Sequence, residues 1–295
     1  MLGSARSFFQ ERGILEVDCS ALVPFPAIDS NIDVIEAFPF ENTIGYLHTS
    51  PEYAMKKLLS LGSTDLFYLG HVFRKEEKGR FHQPEFTMAE WYRLGFTLPQ
   101  MMEETADFLR LFLKNLPLEV LSYQDAFENF LEIDPEKASF ETLLKYAEPL
   151  GGKPSWSREE LLQLLLSHLV EPHLGKDCLT ALTDYPPNEA ALAKIVEKKG
   201  RKVALRFEIY HKGVELTNGY AESPNAKEIR NRFHETNLAR EKAGKSPYPI
   251  DESFLESLDK NFPDCCGVSV GFDRAFALSL NLDSISACMV NPWKH

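Results

Sequence analysis

Residues 73–92, FRKEEKGRFHQPEFTMAEWY, limit the possible folds more than any other stretch. Residues 66–75 and 85–93 are aromatic-rich and alternating, so both read as strands, and the polar run 76–84 between them reads as a loop. Helix, strand and hairpin patterns alternate irregularly along the rest of the chain, without regular βαβ spacing. The expected class is therefore α+β, a mainly antiparallel sheet flanked by helices rather than a doubly wound parallel one.

Helices are expected at 4–12, ended by Gly13, and at 53–61, 99–115, 225–244 and 273–280. Ser50 is the candidate cap of the second, with Pro51 in its first turn. Strands are expected at 14–17, 203–210, 214–220 and 268–271, the middle two joined at Lys212-Gly213. Residues 122–200 read as a mostly helical insertion beside the sheet, within a single domain spanning 1–295. The chain opens inside a helical pattern, as one lacking a short N-terminal segment would.

Asp and Glu outnumber Lys and Arg by 44 to 32, a net charge of −12. That argues against a protein that coats nucleic acid, because neutralising phosphates needs clustered cations, and it leaves room for a local basic cleft. The cysteines show no paired CxxC spacing and read as reduced thiols of a cytoplasmic protein rather than a zinc site. No apolar run reaches the roughly 20 residues of a membrane span. Neither GxGxxG nor GxxxxGK[ST] occurs, so a bound nucleotide would be held by side-chain cations.

Alternation along 85–93 puts Phe86, Met88, Glu90 and Tyr92 on one face. That face offers a plate for a flat base, then a carboxylate and a phenol for a cation, with Arg74 nearby for a phosphate. A surface hairpin with scattered charge is the bland alternative. In 206–222, RFEIYHKGVELTNGYAE, a two-residue turn pairs Tyr210 with Glu215 and leaves Glu208 one diagonal step away. Two such carboxylates can share Mg²⁺, or can simply be solvated acids. Strict alternation puts Asn218 and Glu222 on the other face unless a bulge at Gly219 turns them back. In 267–278, GVSVGFDRAFAL, two glycines let a strand approach a ligand. Arg274 opposes the dipole of the helix that follows, which calls for an anion, either an external one or Asp273. In 48–59, HTSPEYAMKKLL, Glu52 suits a helix N-terminus on dipole grounds alone, and it can also reach an amino group.

In this order, the four segments resemble class II aminoacyl-tRNA synthetases of the lysyl type. Residues 73–92 look like motif 2, 267–278 like motif 3, and 15–20 like a motif 1 in which Ser20 replaces the usual proline. The whole chain, including YQDAFENFLEIDP at 123–135, is similar to the short paralogues of that family. The resemblance implies a class II type of sheet with a helical insertion. It implies Arg74 at the α-phosphate and Arg274 at the γ-phosphate of ATP as catalytic cations. Lys75, Glu76, Gln83, Leu216 and Gly271 would line the nucleotide, Phe86 would stack on adenine, and Glu208 and Glu215 would hold Mg²⁺. Ser50, Pro51 and Glu52, with Glu90, Tyr92, Asn218, Glu222 and Ser269, would surround a lysine-like substrate.

The implied reaction is adenylation of lysine or (R)-β-lysine by a homodimer. No room precedes motif 1 for an anticodon-binding OB-fold, so the implied acceptor is a lysine of elongation factor P rather than tRNA. A truncated synthetase using another acceptor and a non-catalytic regulatory paralogue are the alternatives. The presence of Arg74, Arg274, Glu208 and Glu215 speaks against the second. Lys75 and Gln83 stand where the family has Asn, which implies altered nucleotide contacts. Ser269 stands where lysyl synthetases have Gly, which implies a narrower pocket floor.

Overall fold

The computed structural model describes residues 1–293. The fold is α+β, as the patterning predicts. The chain forms two compact units, one of residues 1–114, 191–194 and 219–295, the other of 115–190 and 195–218.

In the first unit the strands Leu66–Phe73 and Glu85–Leu94 pair antiparallel, and Cys265–Gly271 pairs antiparallel with the second of them. The short strand Leu15–Glu16 adds parallel to Leu66–Phe73. Period-two alternation gives Glu85–Leu94 two buried faces. Trp91 and Ala89 point toward Phe9 of the helix Leu2–Glu11 and Phe108 of Leu98–Leu113; Phe9 stacks on Phe67 at 4.2 Å. Met88 and Tyr92, with Phe86 at the edge, pack on the opposite side with Tyr68, Val72 and the helix Glu52–Ser60 through Met55 and Leu59. The predicted common face of Phe86, Met88 and Tyr92 is thus real, and it is a half-apolar floor rather than an exposed hairpin.

Some of this unit differs from the reading of the sequence. The helix Glu252–Asn261, capped by the Asp251 side chain on the Phe254 amide, was not expected. Neither was the small sheet of Leu22–Val23, Thr43–Leu47 and Ile35–Phe40, whose Phe38 and Phe40 are exposed. Pro51 occupies the N-cap position of the helix Glu52–Ser60 without a side-chain bond, and the Ser50 hydroxyl just before it accepts the Glu52 amide.

The second unit is not mostly helical. Serines cap its helices: Ser122 starts Tyr123–Leu131, Ser139 starts Phe140–Ala147, and Ser157 forms a capping box with Glu160 ahead of Arg158–Leu165. After residue 173 the chain turns to strands. Leu179–Tyr185 lies between Leu118–Ser122, parallel, and Arg201–His211, antiparallel, while Ile195–Lys198 pairs with the start of Arg201–His211. Residues 179–185 form a short apolar run, which periodicity alone cannot assign to helix or strand. The hairpin from Arg201–His211 into Val214–Ala221 turns at Lys212-Gly213, both at positive φ, the geometry of a primed two-residue turn. No helix among the described residues is long and apolar enough to cross a membrane.

Candidate active site

In the first unit, Ser50 ties a helix start to a strand. Its Oγ accepts the Glu52 amide at 3.0 Å and donates to Glu90 Oε2 at 2.7 Å. Tyr92, two residues along the same strand face, donates to Glu90 Oε1 at 2.8 Å. Strand register sets Ser269 directly opposite Glu90. The helix begun by Glu52 carries Lys56 one turn on, so both face the same way. Lys56 Nζ lies 2.7 Å from Glu52 Oε1 and 2.6 Å from Glu222 Oε2. Glu222 follows the strand Val214–Ala221, and its amide donates to Cys265 O. A Cβ at Gly267 would stand 2.4 Å from Tyr92 Cε1 and 2.5 Å from Glu222 Oε1, so only glycine leaves room for both side chains.

These residues hold charge away from water. Glu90 is 3% exposed and Glu222 1%. Burial, reinforced by the Glu52 charge, pushes the Glu90 carboxyl up to about 8, although Ser50, Tyr92 and Lys56 pull it down. Burial likewise pushes Glu222 up to about 7 against the pull of Lys56. Burial would lower the Lys56 ammonium, but Glu222 and Glu52 outweigh it and hold Lys56 above the ordinary lysine value. Three carboxylates therefore face one ammonium, an arrangement suited to receiving further positive charge.

The phosphate candidates gather at the other end of the same strand pair. Arg74 donates its amide to Pro84 O, and its guanidinium lies 5.0 Å from the Phe86 ring centroid. Arg274, on the helix Phe272–Ser279, donates from Nε to Phe81 O at 3.1 Å and meets His82 Nε2 at 2.9 Å. Burial, Arg274 and then Arg74 hold His82 below the ordinary histidine value, so at neutral pH it accepts from the guanidinium. Asp273 accepts the Thr87 amide. Lys75 donates its amide to Asp33 O, and Glu76 is exposed at φ 59°. Gln83 is buried; its carboxamide binds Ser286 Oγ and both backbone polar atoms of Trp293. At Gly271 a Cβ would meet only the Arg274 side chain, at 3.4 Å or more. Lys56 and His82 escaped the sequence reading. The four-residue spacing of Lys56 from Glu52 was its one visible signal.

Glu208, Glu215, Leu216 and Asn218 belong to the second unit. Glu208 Oε2 accepts from the Tyr185 and Tyr210 hydroxyls at 2.6 and 2.5 Å, and Oε1 accepts from Arg206 at 2.5 Å. The same guanidinium donates to Asn218 Oδ1 at 3.1 Å, so alternation does not part Asn218 from Glu208. A carboxylate offers about four lone-pair sites. Three of those on Glu208 are used, which leaves Oε1 one position for a monodentate metal contact. With Glu215 on the neighbouring strand, these hard oxygen donors fit a divalent cation that takes its remaining ligands from phosphate and water. Leu216 is buried.

The model for tRNA synthetases of class II (D, K and N) matches residues 1–294. The chain is 41% identical over 293 residues to the elongation factor P–(R)-β-lysine ligase of Avibacterium paragallinarum, covering 97% of this chain and 91% of that protein. It is 40% identical over 296 residues to the ligase of the same name from Haemophilus ducreyi, covering 98% and 90%. The corresponding protein of Klebsiella pneumoniae is 41% identical over 299 residues, covering 97% and 90%.

Proposed function

The chain belongs to the class II tRNA synthetases (D, K and N), and from that premise we propose that it is an ATP-dependent, AMP-forming ligase that activates lysine or (R)-β-lysine and transfers it to a lysine side chain of elongation factor P. The observation that carries this reading is the set of buried Glu90 and Glu222 and half-buried Glu52 around Tyr92, beside the strand pair that also bears Phe86 and leads into Arg74. The relatives named for this ligase activity support it along nearly their whole length.

The chemistry needs no side-chain nucleophile. A carboxylate oxygen of the amino acid attacks the α-phosphorus of ATP, and pyrophosphate leaves. The acceptor amine then attacks the carbonyl carbon of the mixed anhydride, losing a proton as AMP departs. Arg74 would neutralise charge on the α-phosphate and Arg274 on the γ-phosphate, with Phe86 beneath the adenine; this is catalysis by positioning and fixed charge. Lys75, Glu76, Leu216 and Gly271 would border the nucleotide, and Gln83 would reach it after exchanging its Trp293 contacts. Glu208 and Glu215 would hold Mg²⁺, which when bound screens the phosphate charges. Ser50, Pro51, Asn218 and Ser269 would complete the amino-acid pocket.

The net charge of −12 favours a protein acceptor over tRNA. The family match across both units supports one catalytic domain with an insertion at about 122–200. We take the compartment to be the cytoplasm and the assembly to be a homodimer, for which the exposed Phe38, Phe40 and Ile44 offer an apolar face. Incubating the protein with ATP, Mg²⁺, each lysine isomer and elongation factor P, then weighing the factor by mass spectrometry, tests the reading. A gain of one lysyl residue is expected. Transfer to tRNA with no gain on the factor would contradict it.

A further inference from the structure

Lys56 takes no part in the chemistry just described, yet it lies at the centre of the amino-acid site. Its side chain is 2% exposed, and its ammonium is clamped between Glu52 Oε1 and Glu222 Oε2. We infer that Lys56 is a positioning residue that sets specificity for a substrate with two ammonium groups. Three observations carry this, and all rest on the proposed function.

The first is charge. Glu52, Glu90 and Glu222 bring three carboxyl groups and Lys56 one ammonium, so two carboxyls are left to ionise against incoming ammonium groups. A substrate with two ammonium groups closes that balance. One with a single ammonium leaves a buried carboxylate unpaired, an arrangement that burial penalises. The second is geometry. Lys56 draws Glu222 Oε2 to itself, while Glu222 Oε1 is buried without a hydrogen-bond partner in the space that Gly267 leaves open. The carboxylate is thereby oriented with one oxygen presented to an incoming donor. The third is protonation. Besides Lys56, the charged or titratable groups that interact with Glu222 include Glu52, Tyr92, Cys265, Cys266 and Lys194. Of these, Lys194 alone is a cation, and it pairs with Asp264. Without Lys56, Glu222 takes up a proton at neutral pH and ceases to attract an ammonium group.

The test is ATP–pyrophosphate exchange from pH 6 to 9, with lysine and with norleucine, its analogue lacking the side-chain amine. Lys56→Met should raise the lysine KM at least tenfold at pH 7 with the ATP KM within twofold, and the defect should shrink as pH rises and Glu222 ionises. The preference for lysine over norleucine should fall at least tenfold. A lysine KM within twofold of wild type, or a defect equal at every pH as a merely structural role would give, overturns the inference. Should Lys56→Met not fold, Lys56→Met/Glu222→Gln removes both charges of the buried pair. That variant should also lose the lysine preference, and retaining it would overturn the inference. Wild-type protein inactive with lysine contradicts the proposed function itself, whatever the variants do.

Discussion

Two buried carboxylates in this chain look alike in sequence and differ in what surrounds them. Glu208, in the second unit, is met by two phenols and a guanidinium, so its charge is balanced by fixed neighbours. Glu90, in the first, is met by a serine and a tyrosine hydroxyl, and the charge that acts on it most strongly is that of another carboxylate, Glu52. One has its charge met by the fold and keeps a single lone-pair position open. The other is met by neutral hydroxyls, and its ionisation awaits a cation that a ligand supplies. Burial alone therefore does not distinguish an acid whose charge the fold balances from one that awaits a cation; the balance of fixed counter-charge does.

The sharpest way to break the comparison is at the phosphate end of the first unit. Arg74→Ala should lower lysine-dependent exchange by about 10³-fold or more, with an unchanged circular dichroism spectrum and melting temperature. Activity within tenfold of wild type would remove Arg74 from the chemistry. Next comes Glu208→Gln, which keeps the shape but strips the negative charge from beside Arg206. Stability should drop by about 3 kcal/mol in urea unfolding, whereas Glu90→Gln should cost far less or even stabilise. Equal losses would erase the distinction drawn between the two acids. Gly267→Ala should raise the lysine KM about tenfold or more, because a methyl group there collides with Tyr92 and Glu222. An unaffected KM would mean that those side chains yield freely.

The smallest effect is on stability against pH. Glu90 and Glu222 hold protons in the folded protein up to about 8 and about 7, and they lose them near the ordinary carboxylate value when unfolded. Between pH 6 and 8 the folded state therefore binds more protons, so stability without substrate falls as pH rises. Over the same interval lysine binding should strengthen, since ionised carboxylates attract its ammonium groups. The depressed carboxylates Asp33, Asp134 and Asp251 lose their contribution only well below this window. Melting curves at pH 6, 7 and 8 should show the decline, and Glu90→Gln should flatten it; a rise with pH would contradict the assignment.

The strand pair and its two faces were legible in the sequence because alternation with a period of two fixes which side chains go together. Phe86, Met88, Glu90 and Tyr92 could be placed on one face from spacing alone. Glu52 was visible because a proline and an acid at a helix start leave little choice of direction. Lys56 was not, because its meaning depends on Glu222, a partner far away in the chain that only the packed fold brings to it. Residues 179–185 and the helix Glu252–Asn261 were missed for a local reason. The first is too short to reveal a period, and the second follows a proline-rich stretch that reads as loop to its end. The hydrogen bonds to Glu208 were hidden because Tyr185 sits on a strand that the sequence did not announce.

The central claim is that the first unit's surplus of buried carboxylates serves to bind a lysine-like substrate for adenylation. The most direct measurement is pyrophosphate exchange into ATP by the wild-type protein with lysine, with β-lysine and with no amino acid. The account predicts saturable exchange that requires a lysine isomer and Mg²⁺. Exchange absent with both isomers would contradict it.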